Sequence, residues 1–181
     1  MSRGVLSIYW GDEAKLPFDR LKNSIKKFHP ELPHEIVKVE APSSDPTSLN
    51  KKAAMLDLSP FDETLFLDID TVVMGRLDFG FEKAQKFGMA ISICEAPWAR
   101  RYHKIFLGDE VEYNTGVIFF TKMANPVFES WKMLAAEVDS EIIGVDNGQA
   151  FKMAANDQGS FALAIEKTGF NPFILPLNWN F

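Results

Sequence analysis

The feature that most constrains this chain is an apolar run that ends in acid: Thr64-Leu65-Phe66-Leu67 leads directly into Asp68-Ile69-Asp70. Leu65-Phe66-Leu67 has no polar alternation, so it reads as a strand buried on both faces. Such strands belong to sheets covered by helices on both sides, and the carboxylates are therefore expected where a core strand leaves the core. In an extended chain Asp68 and Asp70 share one face, with Ile69 on the other.

The rest of the chain supplies the covering layers. Val5 to Trp10 reads as a first strand ended by Gly11, and Ile36 to Val39 as a second. Between them Phe18, Leu21, Ile25 and Phe28 recur at helical spacing, with Pro17 at the start and Pro30 beyond the end. Ala41 to Ser48 is a Pro/Ser/Asp-rich loop, and Leu49 to Leu58 a helix closed by Ser59-Pro60. Met89–Cys94 and Gly116–Thr121 read as further strands, and Val127, Trp131, Leu134 and Val138 as a helical stripe. A last helix is expected from Asp157 to Lys167 and a last strand from Phe173 to Leu177. The alternation predicts one α/β domain over residues 1–181, with a mostly parallel central sheet flanked by helices. Ligands of such sheets sit outside the carboxyl ends of the strands. Tyr9-Trp10-Gly11, Asp68-Ile69-Asp70 and the stretch from Glu95 onward are the strand ends that carry chemistry.

Two carboxylates one residue apart repel unless a cation or a hydrogen-bond network offsets the repulsion. A hard divalent ion, Mg²⁺ or Mn²⁺, takes one or two carboxylates and completes its shell with water and phosphate oxygens. The alternative is that Asp68 accepts backbone hydrogen bonds in a turn while Asp70 is solvated. A second alternative uses Phe66-Leu67-Asp68-Ile69-Asp70-Thr71-Val72, which resembles the motif of haloacid-dehalogenase-type phosphatases, where the first Asp is the nucleophile. That motif usually sits on the first strand, whereas a strand, a helix and another strand precede Asp68 here.

Four stretches, in order along nearly the whole chain, resemble glycosyltransferases of the GT-A fold, in particular the glycogenin and bacterial lipopolysaccharide-galactosyltransferase group. They are Lys51-Lys52-Ala53-Ala54-Met55-Leu56 with Ser59-Pro60-Phe61; Leu65 to Val73; Tyr113-Asn114-Thr115-Gly116-Val117-Ile118; and Asn156-Asp157-Gln158-Gly159-Ser160 with Leu175-Pro176-Leu177-Asn178-Trp179-Asn180. The resemblance implies a metal-dependent transferase that moves a sugar from a nucleotide-diphosphate donor, with UDP as carrier, to a carbohydrate-type acceptor. It implies that Asp70 coordinates Mn²⁺ or Mg²⁺ while Asp68 binds the ribose and completes the metal site. Lys51 or Lys52 would hold the donor, Tyr9 and Trp10 would contact its base and ribose, and Asn114, Asp157 and Gln158 would line the sugar side. Each has a plainer alternative: a solvated helix face for the lysines, core packing for Tyr9 and Trp10, turn chemistry for Asn114, a helix cap for Asp157. The family typically continues past its Trp-Asn segment to a histidine metal ligand and a diphosphate-binding lysine. This sequence stops at Phe181, and His29, His34 and His103 do not match that position. The expectation is a metal site with fewer protein ligands or weakened activity, and a degenerate sugar-nucleotide-binding domain is the non-enzymatic alternative.

Charge and composition bear on partners. A formal net charge of −6 disfavours a nucleic-acid backbone, which calls for clustered Lys and Arg. Cys94 is the single cysteine, so no internal disulfide is possible, which fits a reducing compartment. With neither a signal-peptide pattern nor a span-length apolar run, the cytoplasm is the expected location. Glu95 to Glu112, with Trp98, Arg100, Arg101, Tyr102 and His103, reads either as a loop over donor or acceptor or as a surface excursion.

Overall fold

The computed structural model describes residues 1–10, 15–40, 48–94, 111–137, 142–146, 149–153 and 157–180. Gly11, the loop residues 41–47, residues 95–110 with His103, Val138, Asn156 and Phe181 lie outside the described residues. The main sheet contains β1 (Arg3–Tyr9), β2 (His34–Lys38), β3 (Glu63–Leu67), β4 (Met89–Ile93), β5 (Tyr113–Thr121) and β8 (Phe173–Leu175), in the order β2-β1-β3-β5-β4-β8. Strand β3 sits inside it, parallel to β1 and antiparallel to β5, and β5 alone among the six runs against the others.

Period-two alternation divides the core into two layers. Leu65 and Leu67 of β3, Val5 of β1 and Phe119 of β5 pack with Leu21 and Ile25 of α1 (Lys15–Phe28) and with Phe81 and Ala84 of α3 (Asp78–Phe87). Phe66, Leu6, Ile118 and Phe120 face the opposite layer, where Trp131 of α4 (Asn125–Glu137) meets Phe161 of α5 (Asp157–Thr168) edge-on at 4.7 Å. The Trp131 indole N–H, buried with that ring, donates to Ser160 Oγ at 2.9 Å, as a buried indole must.

The structure departs from the sequence reading in four places. Ser48 to Ala54 is wound as a tight 3₁₀ turn, and only Met55–Leu58 (α2) is α-helical. Pro176 has no N–H for the ladder, so β8 stops at Leu175 and Leu177–Trp179 forms a 3₁₀ turn. Helix α3 was not anticipated, although Leu77, Phe81 and Ala84 have helical spacing and Gly88, at φ 82°, supplies the left-handed cap beyond it. The antiparallel pair β6 (Ile142–Asp146) and β7 (Gln149–Met153) was also missed. Its signal is Asn147-Gly148 between two strand-like runs. No helix among the described residues is long and apolar enough to cross a membrane.

Strand β5 carries one further irregularity. Ile118 pairs with Ile91, but Tyr113 pairs with Ile93, so more residues of β5 than of β4 fill the gap between these pairs. Tyr113 consequently packs in the same layer as Ile118 and Phe120, although a regular strand would place it opposite them. A bulge of this kind re-aims side chains, and this one spans Asn114 to Gly116 at the rim beside Asp68.

Beneath that rim, the Ser7 hydroxyl donates to the Leu67 carbonyl at 2.8 Å, so at 3.0 Å the His34 Nε2–H must be the donor to Ser7 Oγ. This leaves His34 Nδ1 buried and unprotonated. Burial, with the nearby Lys22 charge, lowers His34 from its ordinary value of 6.5 to about 4. The unfolded chain therefore takes up the proton first, and stability is lost as pH falls from about 6.5 toward about 4. We expect melting temperatures measured from pH 8 to 4 to fall more steeply for the native protein than for His34→Gln, whose amide keeps a donor for Ser7. An equal slope in both proteins would contradict this account of His34.

Candidate functional site

The rim is assembled by strand direction. Parallel β1 and β3 bring Trp10 and Asp68 to the same end of the sheet. Asn114 stands at the start of its strand and would lie on the opposite end in a uniformly parallel sheet; the reversal of β5 brings it next to Asp68. The contact is direct, because the Asp68 N–H donates to the Gly116 carbonyl at 2.9 Å. The Asp68 carbonyl then accepts the Thr71 N–H at 3.1 Å, so the chain turns immediately after the strand.

A buried ammonium ties the site together. Lys52, 5% exposed, donates to Asp68 Oδ2 at 2.8 Å and lies 3.2 Å from Asp157 Oδ2. The Thr115 hydroxyl donates to that same Asp157 oxygen at 2.6 Å. Burial alone would pull the lysine down, but the Asp157 and Asp68 carboxylates outweigh it and hold Lys52 well above the ordinary lysine range. For Asp68 the balance is reversed. Burial pushes its carboxyl up, Lys52 only partly opposes this, and the charges of Asp157 and Asp70 add to the rise. Asp68 and Asp157 share the one ammonium, and the Asp70 charge acts on Asp68 from the other side, where a cation bound to Asp68 and Asp70 would offset it.

Asp68 and Asp70 form the wall common to two cavities. One, of about 390 Å³, is lined by Tyr9, Trp10, Pro17, Lys52 and Ile69 as well. The other, of about 800 Å³, extends from them past Asn114, Gly116, Trp179 and Asn180. Gly116 is needed at this junction. A Cβ there would stand 3.1 Å from Asp68 Oδ2, 3.4 Å from Asn114 Oδ1 and 3.5 Å from Asn180 Nδ2, filling a small polar cradle.

Most residues singled out in the sequence therefore converge. Tyr9, Trp10, Lys52, Asp68 and Asp70 meet around the smaller cavity. Lys51 is exposed, so the lysine pair divides into one solvated and one buried member. Asn114 has two roles: it lines the larger cavity, and its Oδ1 accepts the Gly116 N–H at 3.1 Å as local turn chemistry. Asp157 opens α5, but its side chain is committed to Lys52 and Thr115, and half-buried Gln158 follows it. Sequence reasoning missed Thr115 and Asn180, the latter donating from Nδ2 to the Asn114 carbonyl at 3.3 Å. Both lie inside motifs singled out for their neighbours. His29 is a structural histidine whose Nε2 accepts the Leu77 N–H at 2.8 Å.

The donor set suits a hard cation, since both groups aimed at the shared wall are carboxylates. Among the described residues no cluster of three or more His, Cys, Asp or Glu is arranged to hold a metal alone. Such an ion would draw its remaining ligands from water and from a bound molecule.

No family model matches the chain, and no curated protein matches it significantly. Solved structures do. The glycosyltransferase GlyE of Streptococcus pneumoniae TIGR4 aligns with 99% of this chain and 47% of its own, at 14% identity and a TM-score of 0.58. Mouse xyloside xylosyltransferase 1 aligns over 98% of this chain and 85% of its own, at 12% identity and a TM-score of 0.54. The galactosyltransferase LgtC, solved with donor and acceptor sugar analogs, aligns over 88% and 69%, at 12% identity and a TM-score of 0.52. The chain thus spans about half the length of GlyE. Its architecture, a six-stranded mixed sheet between helical layers, is the GT-A-like glycosyltransferase fold.

Proposed function

We propose that this chain is a metal-dependent glycosyltransferase that takes a sugar from a UDP-type nucleotide-diphosphate donor and passes it to a carbohydrate-type acceptor. The observation that carries this reading is the placement of Asp68 and Asp70 as the wall between two cavities, with the Lys52 ammonium buried behind it. The smaller cavity, between Tyr9, Trp10 and Lys52, is assigned to the base and ribose. Asp68 and Asp70 would hold Mn²⁺ or Mg²⁺, which when bound offsets the charge developing on the departing diphosphate. Lys52 opposes the effect of burial on Asp68, holds it in place over a 2.8 Å contact, and supplies positive charge close to the donor. Asn114, Asp157 and Gln158 are assigned to the sugar, whose hydroxyls demand positioned donors and acceptors. A cytoplasmic location belongs to the same reading and rests on the lone Cys94.

Two experiments test this reading. Calorimetry with UDP-glucose or UDP-galactose should give binding that depends on Mn²⁺ and is lost in chelator. Asp70→Asn, at an exposed position, should fold normally yet bind at least about tenfold more weakly. Equal affinity with and without chelator would overturn the metal assignment. A phosphoryl-mimicking metal fluoride trapped on Asp68, with no UDP binding, would establish the phosphatase alternative instead. UDP-sugar binding with no release of UDP under any acceptor would mark a non-catalytic binding domain.

The role of Lys52 predicts a stability effect measurable without any ligand. Lys52→Met removes the cation and leaves Asp68 and Asp157 facing each other in a largely enclosed site. Removing one partner of a buried ion pair costs about 3 kcal/mol or more. With Lys52 no longer opposing burial, the Asp68 carboxyl should rise further above its ordinary value, so stability is lost as pH rises and recovered as it falls. Urea unfolding in chelator should show a large deficit at pH 7.5 that narrows toward pH 5, and Asp157→Asn added to Lys52→Met should restore part of it. A deficit that is small, or equal at both pH values, would contradict the shared-ammonium account.

A further inference from the structure

We propose that Thr115 is a positioning residue that fixes the Asp157 carboxylate for the sugar half of the donor. The proposal rests on the transferase reading above and names a residue to which that reading assigns no role. Thr115 is 1% exposed, so its hydroxyl does not itself meet a ligand. Its only proton is directed at Asp157 Oδ2, over a 2.6 Å hydrogen bond to a charged acceptor, the short and strong kind.

Lys52 cannot do this work alone. Its ammonium lies closer to Asp68, at 2.8 Å, than to Asp157, at 3.2 Å. That longer contact alone would leave the turn of the carboxylate less tightly fixed than the short Thr115 hydrogen bond does. With Thr115 in place, both contacts fall on Oδ2 and neither falls on Oδ1. The hydroxyl thereby fixes how the Asp157 carboxylate is turned beside Lys52 and Asp68.

The backbone explains why this residue can reach. The bulge in β5 takes Asn114 to Gly116 out of regular register, so Asn114 and Gly116 line the larger cavity while Thr115 meets the first residue of α5. A single irregular turn of strand therefore supplies the cavity wall and the brace behind it. Because the nucleotide half is assigned to the Tyr9–Trp10 cavity on the far side of Asp68, loss of the brace should be felt by the sugar and not by UDP.

The test is a calorimetric titration, in Mn²⁺, of UDP, UDP-glucose and UDP-galactose against the native protein, Thr115→Val and Thr115→Ser. Valine keeps the shape and removes the proton; serine keeps the proton. We expect Thr115→Val to lose about tenfold of the preference for UDP-sugar over UDP, to bind UDP as the native protein does, and Thr115→Ser to recover the preference. Thr115→Ala carries the same expectation and covers the case in which the valine variant does not fold. A valine variant with native preference overturns the proposal, as does one that weakens UDP and UDP-sugars alike, or a serine variant that fails to recover. A native protein that binds UDP but does not favour either UDP-sugar also overturns it, while leaving the metal-nucleotide site intact. Binding of none of the three ligands by the native protein removes the transferase reading, and this proposal with it.

Discussion

The Lys52 ammonium, shared by Asp68 and Asp157, is the interaction on which the rest of the site depends. It joins three stretches far apart in sequence: the 3₁₀ turn before β3, the exit from β3 and the start of α5. An uncompensated ammonium this deeply buried would be driven toward its neutral form, and two nearby carboxylates would be driven to take up protons. Each therefore makes the charge of the others tolerable. Asp68 belongs to this cluster and, with Asp70, also lines both cavities, so the proposed cation would bind at the edge of the same charge network.

Strand direction and one bulge convert that charge cluster into a cleft. If β5 ran with its neighbours, Asn114 and Gly116 would stand at the opposite rim and Asp68 would have no backbone partner at Gly116. If β5 were regular, Thr115 would share a side with Val117 and could not face α5. Gly116 is the residue whose missing side chain keeps the space beside Asp68 open. The fold thus contributes through geometry as much as through the residues it displays.

Much of this was legible in the sequence because the physics involved is local. A short uninterrupted apolar run closed by turn residues reads as a core strand, and carboxylates directly after it lie at its end, as Leu65 to Asp70 do. The helical stripes of α1 and α4 were legible for the same reason, as was the alternation that implies an α/β sheet. The reversal of β5 was not, since strand direction depends on pairing with distant strands and leaves no periodic trace. Nor could the sequence say which of Lys51 and Lys52 turns inward, because adjacent lysines are equivalent until a partner carboxylate is located. Asp157 looked like a helix cap for an equally local reason, and its attachment to Lys52 and Thr115 is wholly tertiary. Helix α3 and the β6–β7 pair leave only punctuating signals, Gly88 after the one and Asn147-Gly148 within the other, because neither carries a long apolar run.

The central claim is that Asp68 and Asp70 bring a divalent cation and a nucleotide together at the wall between the two cavities. The most direct measurement is anomalous diffraction from crystals grown with Mn²⁺ and UDP. The account predicts one Mn²⁺ peak bonded to the carboxylates of Asp68 and Asp70 and to the diphosphate, with uracil in the cavity formed by Tyr9 and Trp10. UDP held there with no metal beside it, or Mn²⁺ and UDP lodged away from Asp68 and Asp70, would contradict it.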